Sequence, residues 1–96
     1  MIYKKSNLIK IYSIFELDNI THLDVSYNKL TEINEKIVKL GKLNTFNVEG
    51  NELEYLPSTM LKMKQLKQMN LKNNYMHPLV WRKYLQNQVP VNDLYH

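Results

Sequence analysis

Cysteine and alanine are both absent from these 96 residues, and glycine occurs only twice, at Gly41 and Gly50. Without cysteine there is no disulfide framework, no thiolate zinc site and no cysteine nucleophile. Small domains outside the cell are more often stapled by disulfides, so the expected location is intracellular, cytoplasmic or nuclear. Two glycines leave little material for a phosphate-cradling loop or a nucleophile elbow. Long apolar runs are missing as well: none exceeds three residues, against the roughly 20 that a bilayer span needs. Lys10 interrupts the apolar N-terminal stretch and no small-residue cleavage site follows, so no signal peptide is expected.

The residues that are present have ordinary globular proportions, 44% hydrophobic and 23% charged, in a chain of one-domain length. The net charge of +4 is spread evenly, +2 in residues 1–48 and +2 in 49–96. A nucleic-acid binder usually concentrates its positive charge, because neutralising phosphates supplies its affinity. Only Lys62 to Lys72, with four lysines and no acid, resembles such a patch.

Self-comparison finds a step of 23 residues. It relates Asn28, Asn51 and Asn74, and with them Ile20, Leu43 and Leu66; Leu23, Phe46 and Met69; Val25, Val48 and Leu71; and Leu30, Leu53 and Met76. The step continues through Ile33 and Leu56, Ile37 and Met60, and Leu40 and Met63. Leu23 and Val25 are two apart, which puts them on one face of an extended strand with His22, Asp24 and Ser26 on the other. The later spacing Ile33, Ile37, Leu40 reads as helical. Each unit is therefore expected to be a strand, a turn and a helix or loose helical turn, with successive strands parallel and each unit covering its neighbour's core.

Written as Ile20-x-x-Leu23-x-Val25-x-x-Asn28-x-Leu30 and its two successors, the pattern resembles the leucine-rich repeat of the 23-residue intracellular type. The resemblance implies an α/β fold: a right-handed solenoid with a short parallel sheet on the concave side and helical or irregular segments on the convex side. Residues 1–96 would form a single domain, with a degraded repeat at 1–19, repeats at 20–42, 43–65 and 66–77, and a cap at 78–96. Upstream, Met1, Tyr3 and Ser6 match Leu23, Val25 and Asn28 if that unit is one residue short, which suggests an edge strand over residues 1–4. Downstream, Pro78, Leu79, Trp81, Lys83, Tyr84 and Leu85 suit a short closing helix, and the segment is similar to the cap of intracellular leucine-rich repeat proteins. Trp81 and Tyr84 read as lid residues over the open end.

Asn28, Asn51 and Asn74 are expected to form a structural ladder, since an amide side chain can both donate to and accept from backbone groups left where the strand ends. His22, His77 and His96 are the only candidates for neutral-pH acid–base work or metal binding. In the column of His22 stand Thr45 and Gln68, poor ligands, so no metal, cofactor or enzymatic activity is expected. The resemblance implies instead a module that binds a partner protein through the outward face of the sheet. Its rows are His22, Thr45 and Gln68; Asp24, Asn47, Asn70 and Asp93; Ser26, Glu49 and Lys72; and Tyr27, Gly50 and Asn73. Glu49 and Lys72 would pair as neighbours, and Tyr27, the one outward aromatic, suits an interface anchor. The alternatives are an RNA- or phospholipid-associated scaffold using Lys62, Lys64, Lys67 and Lys72, or a regulatory subunit of a phosphatase or ubiquitin ligase. The first strand could also pair edge to edge with a second copy.

Overall fold

The computed structural model describes residues 1–5 and 19–77. Three strands follow one another in the chain: β1 (His22–Asp24), β2 (Thr45–Asn47) and β3 (Gln68–Asn70). They form one parallel sheet in the order β1-β2-β3. The register is the sequence step itself, pairing His22 with Thr45 and Thr45 with Gln68. Strands of three residues have too few ladder bonds to persist alone, so each is held by the column of side chains it shares with its neighbours. Upstream, Ile2 makes a parallel bridge to Asp24, with Tyr3 N–H donating to Asp24 O (2.7 Å) and Asp24 N–H to Met1 O (2.9 Å). There the register is 22 residues, one short of the step found elsewhere.

The core is the set of repeated columns. Phe46 is fully buried between Leu23 and Met69 in register, and Val25, Val48 and Leu71 form the next column, each fully buried. Leu30, Leu53 and Met76 close it on the loop side, with Ile37, Leu40 and Leu43 and their equivalents Met60, Met63 and Leu66 on the return side. Fully burying one such side chain contributes roughly 1.5 to 3 kcal/mol relative to leaving it in water.

The returns take the looser of the two expected forms. No α-helix forms among the described residues: the two helical segments, Glu35–Lys39 and Ser58–Lys62, are 3₁₀ helices of five residues. The reason is the spacing of what they bury. Ile37 N–H donates to Asn34 O (3.1 Å), Leu40 to Ile37 (3.0 Å) and Leu43 to Leu40 (3.0 Å), a chain of bonds each three residues long. The helix ends at Lys39, and two further three-residue turns carry Leu40 and Leu43 to the core beside Ile37. Met60, Met63 and Leu66 repeat the arrangement. The Asn34 side chain caps the first segment by accepting from Lys36 N–H (2.8 Å), whereas Pro57 opens the second with no side-chain cap. The expected cap over 78–96, with Trp81 and Tyr84, lies outside the described residues, as do residues 6–18.

Candidate sheet-face interaction site

One side of the sheet carries the core, and the other is polar and open. His22 and Gln68 are exposed there, with Thr45, Asp24, Asn47 and Asn70 half-buried. Sheets made only of parallel strands are normally covered on both faces, so an open polar face on such a sheet is a surface that stands out within the fold.

At the end of each strand, one side-chain oxygen turns the chain. Asp24 Oδ1 accepts from Ser26 N–H (2.9 Å), Asn47 Oδ1 from Glu49 N–H (3.0 Å) and Asn70 Oδ1 from Lys72 N–H (3.1 Å). These are turns closed by an Asp or Asn side chain two residues back. Part of the outward row Asp24, Asn47, Asn70 is therefore committed to the backbone. The signal was available in the sequence: every member of that column is Asp or Asn.

Three residues later the chain adopts left-handed backbone, at Tyr27 (φ 55°), Gly50 (φ 73°) and Asn73 (φ 56°), and Lys5 (φ 56°) stands one short step earlier in the same column. Glycine and asparagine tolerate that region, while a tyrosine there is strained. The Tyr27 ring lies over Gly50, in the space that a Cβ at position 50 would occupy. Lys4 Nζ stands 5.5 Å from the centre of the same ring, within reach of a cation–π attraction.

Tyr27 also anchors a polar network. Its hydroxyl donates to Glu49 Oε2 (2.8 Å), and the same carboxylate accepts from Asn70 Nδ2 (3.0 Å) and, at the limit of hydrogen-bond distance, from Asn73 Nδ2 (3.5 Å). The expected Glu49–Lys72 ion pair does not form. Glu49 turns instead to amide and hydroxyl donors on both flanking units, because these meet its two oxygens from either side. The hydrogen bond to Glu49 pushes the Tyr27 phenol above its ordinary value near 10, with partial desolvation and the carboxylate's charge adding to the effect.

A correction concerns Ser26, expected on the open face. It is buried, 1% exposed, and its Oγ has no hydrogen-bond partner among the described residues. Alternation holds only along the strand, and β1 ends at Asp24. Beyond it the backbone is folded in by the Asp24 turn, and the segment over residues 1–5 runs alongside, with Lys5 N–H donating to Ser26 O (3.1 Å).

On the other side of these turns, the buried asparagines knit unit to unit. Asn51 Nδ2 donates to Val25 O of the preceding unit (3.1 Å) and Val48 O of its own (2.9 Å), while its Oδ1 accepts from Leu30 N–H (3.0 Å). Asn74 makes the equivalent bonds to Val48 O (2.9 Å), Leu71 O (3.2 Å) and Leu53 N–H (3.0 Å). Asn28 donates to Tyr3 O (2.9 Å) and Val25 O (2.8 Å), so the segment over residues 1–5 joins the same series.

His22 is exposed, its Nδ1 within 2.9 Å of Thr21 Oγ1. Among the described residues, no three His, Cys, Asp or Glu side chains converge to hold a metal ion, and no helix is long and apolar enough to cross a membrane. Compared with known protein families, residues 19–40 match the Leucine Rich Repeat. That span holds β1, the left-handed Tyr27, the buried Asn28 and the first 3₁₀ helix.

Proposed function

We propose, from the premise that this is a leucine-rich repeat protein, that it is a non-enzymatic module binding a partner protein through the open face of its sheet. Such repeats generally mediate protein–protein interaction. The finer reading is a right-handed solenoid with that face concave, built as one domain with repeats at 20–42, 43–65 and 66–77 and working inside the cell.

The observation that carries the reading is the open face itself. Side chains at His22, Thr45 and Gln68 stand in strict register on parallel strands whose backs are fully packed, which gives a partner a rigid, preorganised surface with little ordering entropy left to lose. The residues divide by role. Asp24, Asn47 and Asn70 hold the turns, and Tyr27, Asn70 and Asn73 bond the Glu49 carboxylate, so the part of these six is to shape the surface. His22, Thr45, Gln68 and Lys72 are the ones to make contacts.

The test is affinity capture from cell extract, comparing the wild type with a Thr45→Arg, Gln68→Glu, Lys72→Glu variant. These side chains hold no turn, so the variant should keep the wild-type urea midpoint and lose specific partners. Recovery of the same proteins in the same amounts from a variant of unchanged stability would reject the face assignment.

A further inference from the structure

The charged residues outside the sheet face are sorted by edge. Segments leading from the 3₁₀ helices into the next strand, residues 36–45 and 59–68, carry Lys36, Lys39, Lys42, Lys62, Lys64 and Lys67, all exposed, and no acid. Segments leaving the strands, residues 29–35 and 52–58, carry Glu32, Glu35, Glu52 and Glu54 against Lys29, with Lys4 and Lys5 beside the first of these turns. Because the strands are parallel, their starts lie toward one end of the sheet and their ends toward the other, so lysines prevail along the edge by the strand starts and acids by the strand ends. Lys39 and Lys62 are equivalent residues at the ends of neighbouring 3₁₀ helices. Of the six amines, only Lys42 has a hydrogen-bond partner among the described residues, the neutral Asn19 Oδ1 (3.2 Å). Glu16 and Asp18 lie outside the described residues.

Within the lysines stands an apolar pair. Val38 is 39% exposed, and Leu61, one step later, is only partly buried against the core. Phosphates alone have no use for such a pair. A lipid surface does, because apolar side chains enter the boundary between headgroups and acyl chains while lysines stay with the anionic headgroups. The features that suit RNA are missing from this edge: among the described residues its cations are all lysine, with no guanidinium fork, and the exposed aromatics, Tyr27, Tyr55 and Tyr75, lie elsewhere and offer it no stacking platform.

We propose that this lysine edge adsorbs the protein onto an anionic phospholipid surface, with Val38 and Leu61 entering the headgroup layer. It uses residues distinct from those of the sheet face, so lipid and protein can be held together and either assignment can fail alone.

The experiment is flotation of the full chain with vesicles of phosphatidylcholine alone, and with vesicles containing phosphatidylserine as roughly a third of the lipid. Binding is expected only to the second, falling as salt screens the charges. A Lys39→Gln, Lys62→Gln, Lys64→Gln variant should bind about a hundredfold more weakly, at roughly fivefold per lysine near such a surface. Lys29→Gln, in a segment leaving the strands, should change binding less than about twofold, since it stands on the side turned away from the headgroups and salt screens what remains. Val38→Ser should weaken vesicle binding severalfold and leave polyuridylate binding unchanged. All these positions are exposed, and equal urea midpoints would verify that the variants fold. Equal binding to both vesicle types, or a triple variant that floats like wild type, overturns the proposal. So does polyuridylate binding tighter than vesicle binding together with a silent Val38→Ser, which would make the edge a nucleic-acid site.

Discussion

The ring of Tyr27 occupies the place where Gly50 lacks a side chain: a Cβ at residue 50 would stand 2.8 Å from Tyr27 Cε1 and 3.1 Å from Cγ. The two residues are equivalent by the repeat and share left-handed backbone, with φ of 55° and 73°. One unit supplies the ring and the next supplies the room for it.

Gly50→Ala therefore incurs two penalties. Left-handed backbone costs an alanine about 1 kcal/mol or more relative to glycine, and the ring must move off its seat, releasing the hydroxyl from Glu49. The expected outcome is a lower urea midpoint with an unchanged m-value. In the Tyr27→Ala background the steric part vanishes and only the backbone part remains, so the two substitutions should be clearly non-additive. Strict additivity would show that the ring and position 50 do not interact.

The Tyr27 phenol, held above its ordinary value by Glu49, makes part of the stability pH-dependent. Its folded pKa is raised, so the stabilisation is complete below the unfolded value near 10 and is lost as pH rises through the folded one. A urea midpoint measured across the alkaline range should fall more for the wild type than for Tyr27→Phe, which has no proton to lose there. Parallel curves for the two proteins would remove Tyr27 from the account, and the comparison also cancels the titration of the six other tyrosines.

Much of the fold can be read from the sequence because its columns obey one number. Leu23, Phe46 and Met69 stand in register exactly one step apart, and a side chain that repeats at the same place each time has the same surroundings each time. What escaped reading is local. Ile37, Leu40 and Leu43 are spaced for successive three-residue turns, but Ile33 ahead of them lends the group an α-helical look. Strand alternation extended beyond Asp24 turns Ser26 outward, but there the Asp24 side chain bends the chain away. The polar partners of Glu49 are illegible because a pairing of charges, Glu49 with Lys72, is the simpler expectation, while amide donors at Asn70 and Asn73 carry no charge to announce them.

Asn51 tests how the units are joined. Replacing it with alanine leaves the Leu30 N–H without its acceptor and takes one of two amide donors from each of the Val25 and Val48 carbonyls, which keep Asn28 and Asn74, at a site only 4% exposed. Leaving buried backbone groups unpaired costs about 1 to 3 kcal/mol. Asn74→Ala removes the same bonds from a half-buried site, where water replaces part of what is lost. Denaturant titration should therefore rank Asn51→Ala as the more damaging of the two. The reverse order, or no shift for Asn51→Ala, would mean that the repeats are held by their apolar columns alone.

Ser26 offers the opposite sign. Its hydroxyl is buried with no partner among the described residues, while its backbone N–H and C=O are both bonded, to Asp24 Oδ1 and Lys5 N–H. Ser26→Ala keeps both backbone bonds and removes one oxygen that has been stripped of water without compensation. An unsatisfied buried hydroxyl costs about 1 to 3 kcal/mol on mutational scales, part of which is offset by the small void the oxygen leaves. The net expectation is a stabilisation of about 1 kcal/mol, seen as a higher urea midpoint, with capture of partners through Thr45, Gln68 and Lys72 unaltered. Ser26→Val would not share the gain, since its second methyl has to fit where one hydroxyl did. If Ser26→Ala instead lowers the midpoint, the hydroxyl is hydrogen-bonded in solution, to a water or to the chain, and the account of this corner of the fold is wrong.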